Sequence, residues 1–279
     1  MTFNQITIVI TSYKSDEKII RCLKSINSQC KAIVIENSKN ISFKEKIEKK
    51  FTNVECFIAG ENLGYAKGNN LGLSKVKTKY ALILNPDAEL KNNTLDNFFN
   101  TVNEVKNFAI IGPGIQDENN MKHNSKELTE VDSVKGFAMF LNLEEFRDVG
   151  FFDDNFFIYL EEIDLCKRLR KKNKKIFLDP NILIHHQGGS SHEEQYNFEM
   201  ELSRNWHWMW STFYFTKKHK GFLYALFNVS NKLISAFIKY IFYSLTMKSS
   251  KKLIYKNRMA GLFNSIMGKS SWYRPFNNN

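Results

Sequence analysis

The chain has 279 residues, of which 43% are hydrophobic and 25% are charged, which excludes a disordered polypeptide and is typical of one large globular domain with or without an appendage. The net charge of +11 is concentrated at one end, because residues 216–279 contain 12 basic residues and no Asp or Glu. Such asymmetry predicts that this segment meets an anionic surface, either a membrane or a nucleic acid.

Four cysteines, at positions 22, 30, 56 and 166, show no C-x-x-C pairing. Their pattern predicts neither a zinc site nor a disulfide framework and favours a reducing compartment. The first residues lack a basic segment, and their apolar run is too short for a signal peptide. We therefore expect the body of the protein to lie in the cytoplasm.

Strands and helices alternate along the first part of the chain. Runs of β-branched residues predict strands, and apolar residues spaced three and four apart predict helices. This alternation favours an α/β fold with a parallel sheet covered on both faces, in which ligands bind at the carboxyl ends of the strands. Strands are predicted at Ile6–Thr11, Ala32–Glu36, Val54–Ala59 and Tyr80–Leu84, and helices at Asp16–Asn27, Phe43–Phe51 and Tyr65–Ser74.

The next part of the chain is predicted to contain further helices and strands joined by polar, glycine-rich or aromatic loops. The predicted helices are Leu95–Val105, Glu144–Asp148, Leu160–Arg170 and Gln195–Phe215. The predicted strands are Phe108–Gly112, Gly136–Leu143, Lys175–Leu178 and Ile182–His186. A turn is expected at Gly112–Gly114, and loops at 117–130, 149–159 and 188–191.

Polar clusters follow three of the predicted strands, at residues 11–13, 36–37 and 87–89. Because the carboxyl ends of parallel strands meet at one edge of a sheet, we expect these clusters to form one site. Asp87 and Glu89 stand two positions apart, so an extended backbone would point both carboxylates the same way. Hard oxygen ligands of this kind suit Mg²⁺ or Mn²⁺ with diphosphate oxygens completing the shell. For this pair alone, a solvated acidic turn is the alternative.

The turn after the first strand, Ser12–Ser15, contains no glycine. A dinucleotide-binding fold requires G-x-G-x-x-G at this place, and the chain also lacks the P-loop pattern. The sequence therefore argues against NAD, FAD and P-loop nucleotides, and a nucleotide would bind through a metal ion on its diphosphate.

The segment Phe222–Met247 is apolar except at positions 228, 232, 235 and 239, whose spacing places the polar groups on one face of a helix. Lysines at two of these positions argue against a membrane-spanning helix. We expect an amphipathic helix in the membrane interface, supported by the basic stretch Lys248–Arg258. A helix packed on the body or in a homodimer interface is the alternative.

Residues 1–215 contain an ordered series of short segments: ITSY, IEN, ENLGYAKGNNLG, NPDAEL, VGFFD, YLEEIDL, RLR, and His185-His186 with Gly188 and Ser190. Each segment alone is weakly specific, whereas the ordered set is highly specific. The set resembles the inverting family 2 glycosyltransferases with the GT-A fold, particularly the bacterial rhamnosyltransferase-like group. The resemblance implies a Rossmann-like, mostly parallel sheet flanked by helices over residues 1–215, followed by a helical basic region over 216–279.

The resemblance also implies roles for individual residues. Glu162 falls on the catalytic-base position of an E-D-x-D motif where Asp is usual, with Asp164 as the alternative base and Glu161 in an orienting role. A divalent Mg or Mn ion is expected at the D-x-D position, held by Asp87, Glu89 and His185, with His186 as the alternative histidine. The residues expected to hold the nucleotide or line the donor pocket are Thr11, Ser12, Tyr13, Glu36, Asn37, Asn62, Gly64, Asn69 and Asp87.

The implied function is transfer of rhamnose or a similar hexose from a dTDP- or UDP-linked donor to a hydroxyl of a cell-envelope glycan or lipid-linked oligosaccharide, at the inner face of the membrane. There are two alternative functions. An inactive relative acting as a scaffold is motivated by Glu at the base position. A basic nucleic-acid-binding protein is disfavoured, because the body is about neutral and carries carboxylates at the strand ends, which would repel phosphate without a metal.

Overall fold

The structure is a computed structural model that describes residues 2–116, 127–186 and 192–275. The predicted loop at 188–191 and most of the loop at 117–130 lie outside the described residues. The chain divides into two compact units, residues 1–152 with 162–193 and residues 153–161 with 194–279. The boundary proposed from the sequence, between residues 215 and 216, falls inside the helix Asn197–Lys220 of the second unit.

The first unit is built on a β-sheet flanked by helices, as the sequence predicts, but the sheet is mixed where a mostly parallel one is predicted. Its strands are β1 (Ile6–Ser12), β2 (Lys31–Glu36), β3 (Val54–Ile58), β4 (Tyr80–Leu84), β5 (Ala88–Leu90), β6 (Ile110–Gln116), β7 (Thr129–Glu130), β8 (Ala138–Asn142) and β9 (Ile176–His186). Its helices are α1 (Asp16–Ser25), α2 (Ile41–Lys50), α3 (Gly64–Leu73), α4 (Thr94–Glu104) and α5 (Glu161–Lys171), the last of which begins at the junction of the two units.

The strands of the sheet lie in the order β3-β2-β1-β4-β8-β6-β9-β5, with β7 paired to β9 within the described part of the chain. The half that contains β3, β2, β1 and β4 is parallel. Ser12 is registered with Glu36, so the carboxyl ends of β1 and β2 meet at one edge. Strand β8 runs antiparallel to β4 and β6, and β5 runs antiparallel to β9.

Three local predictions differ from the structure. Gly112–Gly114 is not a turn, because β6 continues through it with a register shift against β9 between Pro113 and Gly114. The irregularity lies directly after Pro113, which has no N–H to donate to the ladder. The two strands predicted at 175–178 and 182–186 are the single strand β9. The short strand β5 was not predicted, because three residues are too few to show alternation.

The parallel strands are buried on both faces, which explains why they read as continuous apolar runs. Strand β4 is buried along its whole length, and alternate residues of β1 such as Ile8 pack in one core cluster with Leu82. The same cluster contains Ile19 of α1 and Phe98 of α4. Fully burying an aliphatic or aromatic side chain contributes about 1.5–3 kcal/mol, so this cluster is the main source of stability for the site edge.

The second unit contains the long helices α6 (Asn197–Lys220), α7 (Phe222–Leu245) and α8 (Ser249–Ile266). Gly221, with φ of 89°, separates α6 from α7 in a conformation that favours glycine. Helix α8 packs so closely on α6 that a Cβ at Gly261 would clash with the backbone of Trp206. Within the described residues, no helix is both long and apolar enough to cross a membrane.

Candidate active site

The carboxyl ends of β1 and β2 and the start of α3 are joined by side-chain amides. Thr11 Oγ1 donates to Asn69 Oδ1 at 3.1 Å, and Asn69 Nδ2 donates to the carbonyl oxygen of Tyr65 at 2.9 Å. Asn37 Nδ2 donates to the carbonyl oxygen of Gly64 at 3.2 Å. Asn37 and Asn69 are almost completely buried, so these residues fix α3 against the sheet at the edge where the predicted site lies.

Two glycines of α3 allow this close approach. At Gly68 a Cβ would lie 2.5 Å from Thr11 Cγ2, and at Gly72 a Cβ would overlap Val9. At the entry of the helix, Gly64 has φ of 75°, and its backbone N–H donates to Asn62 Oδ1 at 3.1 Å. The ENLGYAKGNNLG segment is therefore shaped by backbone geometry and packing, with Asn62 holding the turn.

Glu36 shapes the loop that follows β2. Its two carboxylate oxygens accept the backbone N–H groups of Ser38 at 2.7 Å and of Asn40 at 2.8 Å. The side chain of Asn40 in turn donates to Asp16 Oδ2 at 3.1 Å. Burial, followed by the charges of Glu193 and Glu36, raises the pKa of Asp16. Glu36 thus organises the loop beside Ser12 and Tyr13.

Asp87 lies in the turn between β4 and β5, so the extended backbone assumed for Asp87 and Glu89 begins only at Ala88. Its carboxylate is fully buried, and Oδ1 lies 3.4 Å from Nε2 of His186. The imidazole of His186 stacks on Phe137 with a centroid distance of 4.5 Å. Among the described residues Nε2 of His186 has no hydrogen-bond partner. One carboxylate and one imidazole are therefore held together at this edge of the sheet.

Glu89 and His185 lie opposite each other in the β5–β9 pairing, whereas His186 lies opposite Ala88. Directly opposed residues share one face of a sheet, and successive residues alternate. The two histidines consequently belong to different faces. Glu89 is partly exposed and lies 3.7 Å from the guanidinium of Arg21. The structure therefore brings His186 to Asp87 and places His185 with Glu89.

Asp87 and His186 lie where the D-x-D position predicts a divalent ion. In the described part of the chain, no group of three or more His, Cys, Asp or Glu side chains is arranged to hold a metal. The Asp87 carboxylate and the His186 nitrogen nevertheless fit a Mn²⁺ ion whose other ligands come from diphosphate oxygens and water. Two protein ligands suit an ion that arrives with its substrate.

Glu162 stands in the first turn of α5. Burial raises the pKa of its carboxyl, while the backbone N–H groups of Glu162 and Ile163 and the charge of Lys135 act in the opposite direction. A Cβ at Gly136 would lie 3.6 Å from Cβ and Cγ of Glu162 and 3.3 Å from the hydroxyl of Tyr65. That hydroxyl donates to the carbonyl oxygen of Gly136. Tyr65 of α3 and the side chain of Glu162 thus both lie beside Gly136. A partly desolvated carboxylate such as that of Glu162 suits a general base.

Asp164 has different surroundings. It is fully buried, and Oδ2 accepts a hydrogen bond of 2.8 Å from Nε of Arg168. The guanidinium of Arg168 also donates to the carbonyl oxygens of Val149, at 2.9 Å, and Phe151. The VGFFD and RLR segments are therefore joined through one ion pair, which gives Asp164 a structural role.

The chain enters α5 through a strained backbone. Tyr159 and Leu160 have φ values of 75° and 69°, and neither is glycine. Such residues each cost about 1–3 kcal/mol and are found mainly at functional sites. Glu161, the next residue, is buried with 4% exposure. The strain fixes the direction in which the acidic first turn of α5 begins.

Sequence reasoning ranked one contributor to this region second and assigned no role to two others. His186 was the second choice to His185, because the register of β9 is not visible in the sequence. Tyr65 contacts Gly136 across 71 positions of sequence. Asn70 exchanges two hydrogen bonds with the backbone of Phe152, at 2.8 and 3.0 Å. The only sequence signal for Tyr65 and Asn70 was that they belong to the ENLGYAKGNNLG segment, and it did not identify their partners.

Comparison with known proteins decides the family. Residues 7–166, more than half of the chain, match the family described as glycosyl transferase family 2. The chain belongs to this family. The family resemblance noted in the sequence is therefore confirmed.

Two curated relatives and one solved structure agree with this assignment. The chain is 26% identical over 199 residues to a low-salt glycan biosynthesis hexosyltransferase of Haloferax volcanii, covering 62% of this chain and 64% of the relative. It is 24% identical to a rhamnosyltransferase of Escherichia coli K12, covering 72% and 88%. The solved structure is the mannosyltransferase of Pyrobaculum calidifontis in complex with GDP-Man and Mn²⁺. It is 11% identical with a TM-score of 0.62, and the match covers 95% of this chain and 88% of that one. This likeness shows the shared GT-A fold. The chain spans just under two thirds of the length of the Haloferax relative.

Proposed function

We propose that this glycosyltransferase moves a hexose from a nucleoside-diphosphate donor to a hydroxyl of a cell-envelope glycan or lipid-linked acceptor, with inversion at the anomeric carbon. The observation that carries the proposal is the Glu162 carboxylate, whose pKa is raised by burial, at the start of α5 in a family 2 fold. A base of raised pKa accepts a proton more readily than an exposed carboxylate does.

In the proposed reaction, Glu162 takes the proton of the acceptor hydroxyl while the hydroxyl oxygen attacks the anomeric carbon. The bond from that carbon to the diphosphate oxygen breaks on the opposite side, and the nucleoside diphosphate leaves. A single carboxylate suffices, because the diphosphate needs no proton to depart, unlike the leaving oxygen in a glycoside hydrolase. Asp164 serves this step indirectly, by holding Arg168 and the 149–151 backbone in place.

The donor is assigned to the edge formed by Thr11, Ser12, Tyr13, Glu36 and Asn37, with Asn62, Gly64 and Asn69 shaping its wall. Its diphosphate is assigned to Asp87. A divalent ion, when bound, neutralises the diphosphate charge. Asp87 and His186 would hold this ion, since the structure joins these two at 3.4 Å. His185 and Glu89 remain the alternative pair, and rhamnose remains the favoured sugar because the Escherichia coli relative is named for it.

The acceptor is proposed to be reached at the inner face of the membrane, through the second unit. Helix α7 leaves a stripe of large apolar residues exposed, including Leu223 at 80% and Phe227 at 82%. Contiguous exposed apolar surface of this kind marks an interaction site. The positive charge of residues 216–279 favours an anionic membrane over a second copy of the chain as the covering partner.

A donor-hydrolysis assay tests the proposal. UDP-, dTDP- and GDP-linked hexoses are incubated with the full chain, with and without Mn²⁺, and the released nucleotide is measured. We expect release from one donor class, dependent on the ion and reduced in Glu162→Gln. Release that is equal in the variant would contradict the role of Glu162, and absence of release with every donor and acceptor would favour the inactive-scaffold alternative.

A further inference from the structure

The polar face of α7 is turned towards α8, and an open cleft lies between the two helices. Its volume is about 300 Å³. The charged groups in it are Lys232 and Lys239, two helical turns apart on α7, and Arg258 on α8. Asn231, Ser235 and Tyr255 supply hydrogen-bonding groups to the same cleft. The site thus offers three cations and several neutral donors within one small volume.

The cations of the cleft are not neutralised by acidic side chains. Residues 216–279 contain no Asp or Glu, and among the described residues no ion pair is found for the three basic side chains. Arg258 is oriented by a hydrogen bond of 3.0 Å from Nη1 to Asn205 Oδ1 on α6. The ammonium of Lys239 lies 5.4 Å from the centroid of the Tyr255 ring, which holds it over the cleft. Three cations that line one cleft are complementary in charge to a phosphate group.

The cleft adjoins the exposed apolar stripe of α7. At 3.6 residues per turn, Asn231 falls between the stripe residue Ile234 and the cleft residue Lys232. Ile234 is 55% exposed, and Ile241, two turns further along, is 42% exposed. A molecule with an anionic head and apolar chains would therefore place its head in the cleft and its chains along the stripe.

We propose that the α7–α8 cleft binds the phosphate headgroup of an anionic phospholipid. This inference deepens the proposed membrane attachment and rests on it, adding a defined headgroup site to general attraction by a basic surface. A basic surface alone would treat all exposed lysines alike, whereas the cleft singles out Lys232 and Lys239. It also predicts that a headgroup is recognised away from any membrane surface.

The test compares two double variants of the full chain that carry the same net charge. Lys232→Gln with Lys239→Gln alters the cleft, and Lys251→Gln with Lys256→Gln alters two exposed lysines of α8 outside it. Binding is measured to phosphatidylcholine vesicles containing phosphatidylglycerol. The control variant should lose only general attraction, about fivefold for each basic residue near an anionic bilayer. We expect the cleft variant to lose at least about tenfold more affinity than the control, since it also loses the contacts to the headgroup. Lys239→Arg should retain most of the binding.

A second arm uses dihexanoyl phosphatidylglycerol below its micelle concentration, with inorganic phosphate as comparison. The short-chain lipid should bind the wild-type chain and the control variant but not the cleft variant, and phosphate should compete only weakly. Equal losses in the two double variants would overturn the cleft while leaving membrane attachment intact. Failure of the wild type to bind vesicles would remove the attachment itself. Nucleotide binding by the first unit, measured in parallel, should be unchanged in every variant and reports that the protein is folded.

Discussion

Nε of Arg168 lies 2.8 Å from Oδ2 of Asp164, one helical turn before it, and the same guanidinium donates to the backbone carbonyls of Val149 and Phe151. Asp164 is fully buried, and this ion pair is one of the contacts that satisfy its carboxylate. Breaking one side of a buried pair costs about 3–5 kcal/mol, because the other charge is left uncompensated. Two nearby carboxylates of α5 therefore differ in their contacts. Asp164 holds the loop at residues 149–151 through Arg168, whereas Glu162 is available for proton transfer.

The division of roles predicts different outcomes for two conservative variants. Glu162→Gln should keep nucleotide binding and lose transfer by about 10²–10⁴, because the amide cannot accept the proton. Asp164→Asn should lower the melting temperature and reduce activity in proportion to the folded fraction. Transfer kinetics and thermal melts of both variants provide the measurement. An active Glu162→Gln beside a fully folded, inactive Asp164→Asn would identify Asp164 as the base.

The raised pKa of Glu162 also predicts a pH effect on stability. Its pKa is higher in the folded state than in the unfolded chain, chiefly because of burial. The stabilising contribution of the protonated form is therefore present at low pH and is lost as pH rises through the folded pKa. Glu162→Gln should raise the melting temperature more at about pH 8 than at about pH 4, where the wild-type carboxyl is already protonated. Transfer by the wild type should increase with pH over the same range. A constant difference in melting temperature across this pH range would contradict the raised pKa.

The metal proposal predicts unequal effects at two adjacent histidines. His186→Ala should weaken Mn²⁺-dependent binding of UDP or dTDP by at least about tenfold, as expected when a metal site loses a supporting group. His185→Ala, on the other face of β9, is the matched control and should have little effect. Asp87→Ala should abolish the dependence on the ion. Calorimetric titrations with and without Mn²⁺ measure all three. A larger effect in His185→Ala would restore the assignment made from motif spacing.

Sequence reasoning predicted strands β1, β2 and β4, because they are strong apolar runs and polar residues follow them directly. It did not place the partner of Asp87. That partner depends on the pairing of β5 with β9 and on the register shift between Pro113 and Gly114, which are long-range properties of the folded sheet. The Asp164–Arg168 spacing of four was visible in the sequence, but the backbone carbonyls that complete the arrangement were not.

A partly exposed ion pair in the second unit predicts acid sensitivity. Asp153 Oδ2 lies 2.7 Å from Nζ of Lys218 and accepts a hydrogen bond of 2.9 Å from the hydroxyl of Tyr214. Burial acts to raise the pKa of Asp153, but hydrogen bonds from Lys218 and Asn155 outweigh it and lower the pKa to about 2. The stabilising contribution is present above the unfolded pKa, about 3.9, and is lost as pH falls towards 2.

Asp153→Asn should therefore destabilise the protein by about 1–3 kcal/mol at neutral pH, the range for hydrogen bonds to charged groups. The difference from the wild type should shrink as the pH falls below about 4. Denaturant titrations at several pH values measure this change. Lys175→Gln removes an exposed, loosely paired lysine and serves as the control, with an expected change near zero. A difference between Asp153→Asn and the wild type that does not depend on pH would show that the pair is not held in the charged form.

Truncation at residue 215 is a poor test of membrane attachment, because it would cut α6 and remove α8, which packs on it. Trp210 Nε1 donates to the carbonyl oxygen of Lys269 at 3.0 Å, and Ser265 Oγ donates to the carbonyl oxygen of Trp210 at 2.9 Å. Helix α8 is thus held on α6. The outer stripe of α7 is the part that remains exposed and can be altered without disturbing this packing.

Leu223→Ser combined with Phe227→Ser should weaken binding to anionic vesicles by at least about tenfold, since burying each large apolar side chain contributes about 1.5–3 kcal/mol. Because the apolar contribution is not screened, the loss should persist at high salt, where the basic residues contribute little. Ile41→Ser, at a residue that is 63% exposed on α2 of the first unit, is the control and should bind as the wild type does. Vesicle flotation and sedimentation velocity are run on the same samples. If the double variant binds vesicles normally but changes a dimer of the wild type into a monomer, the stripe is an interface between two copies of the chain and the membrane proposal fails.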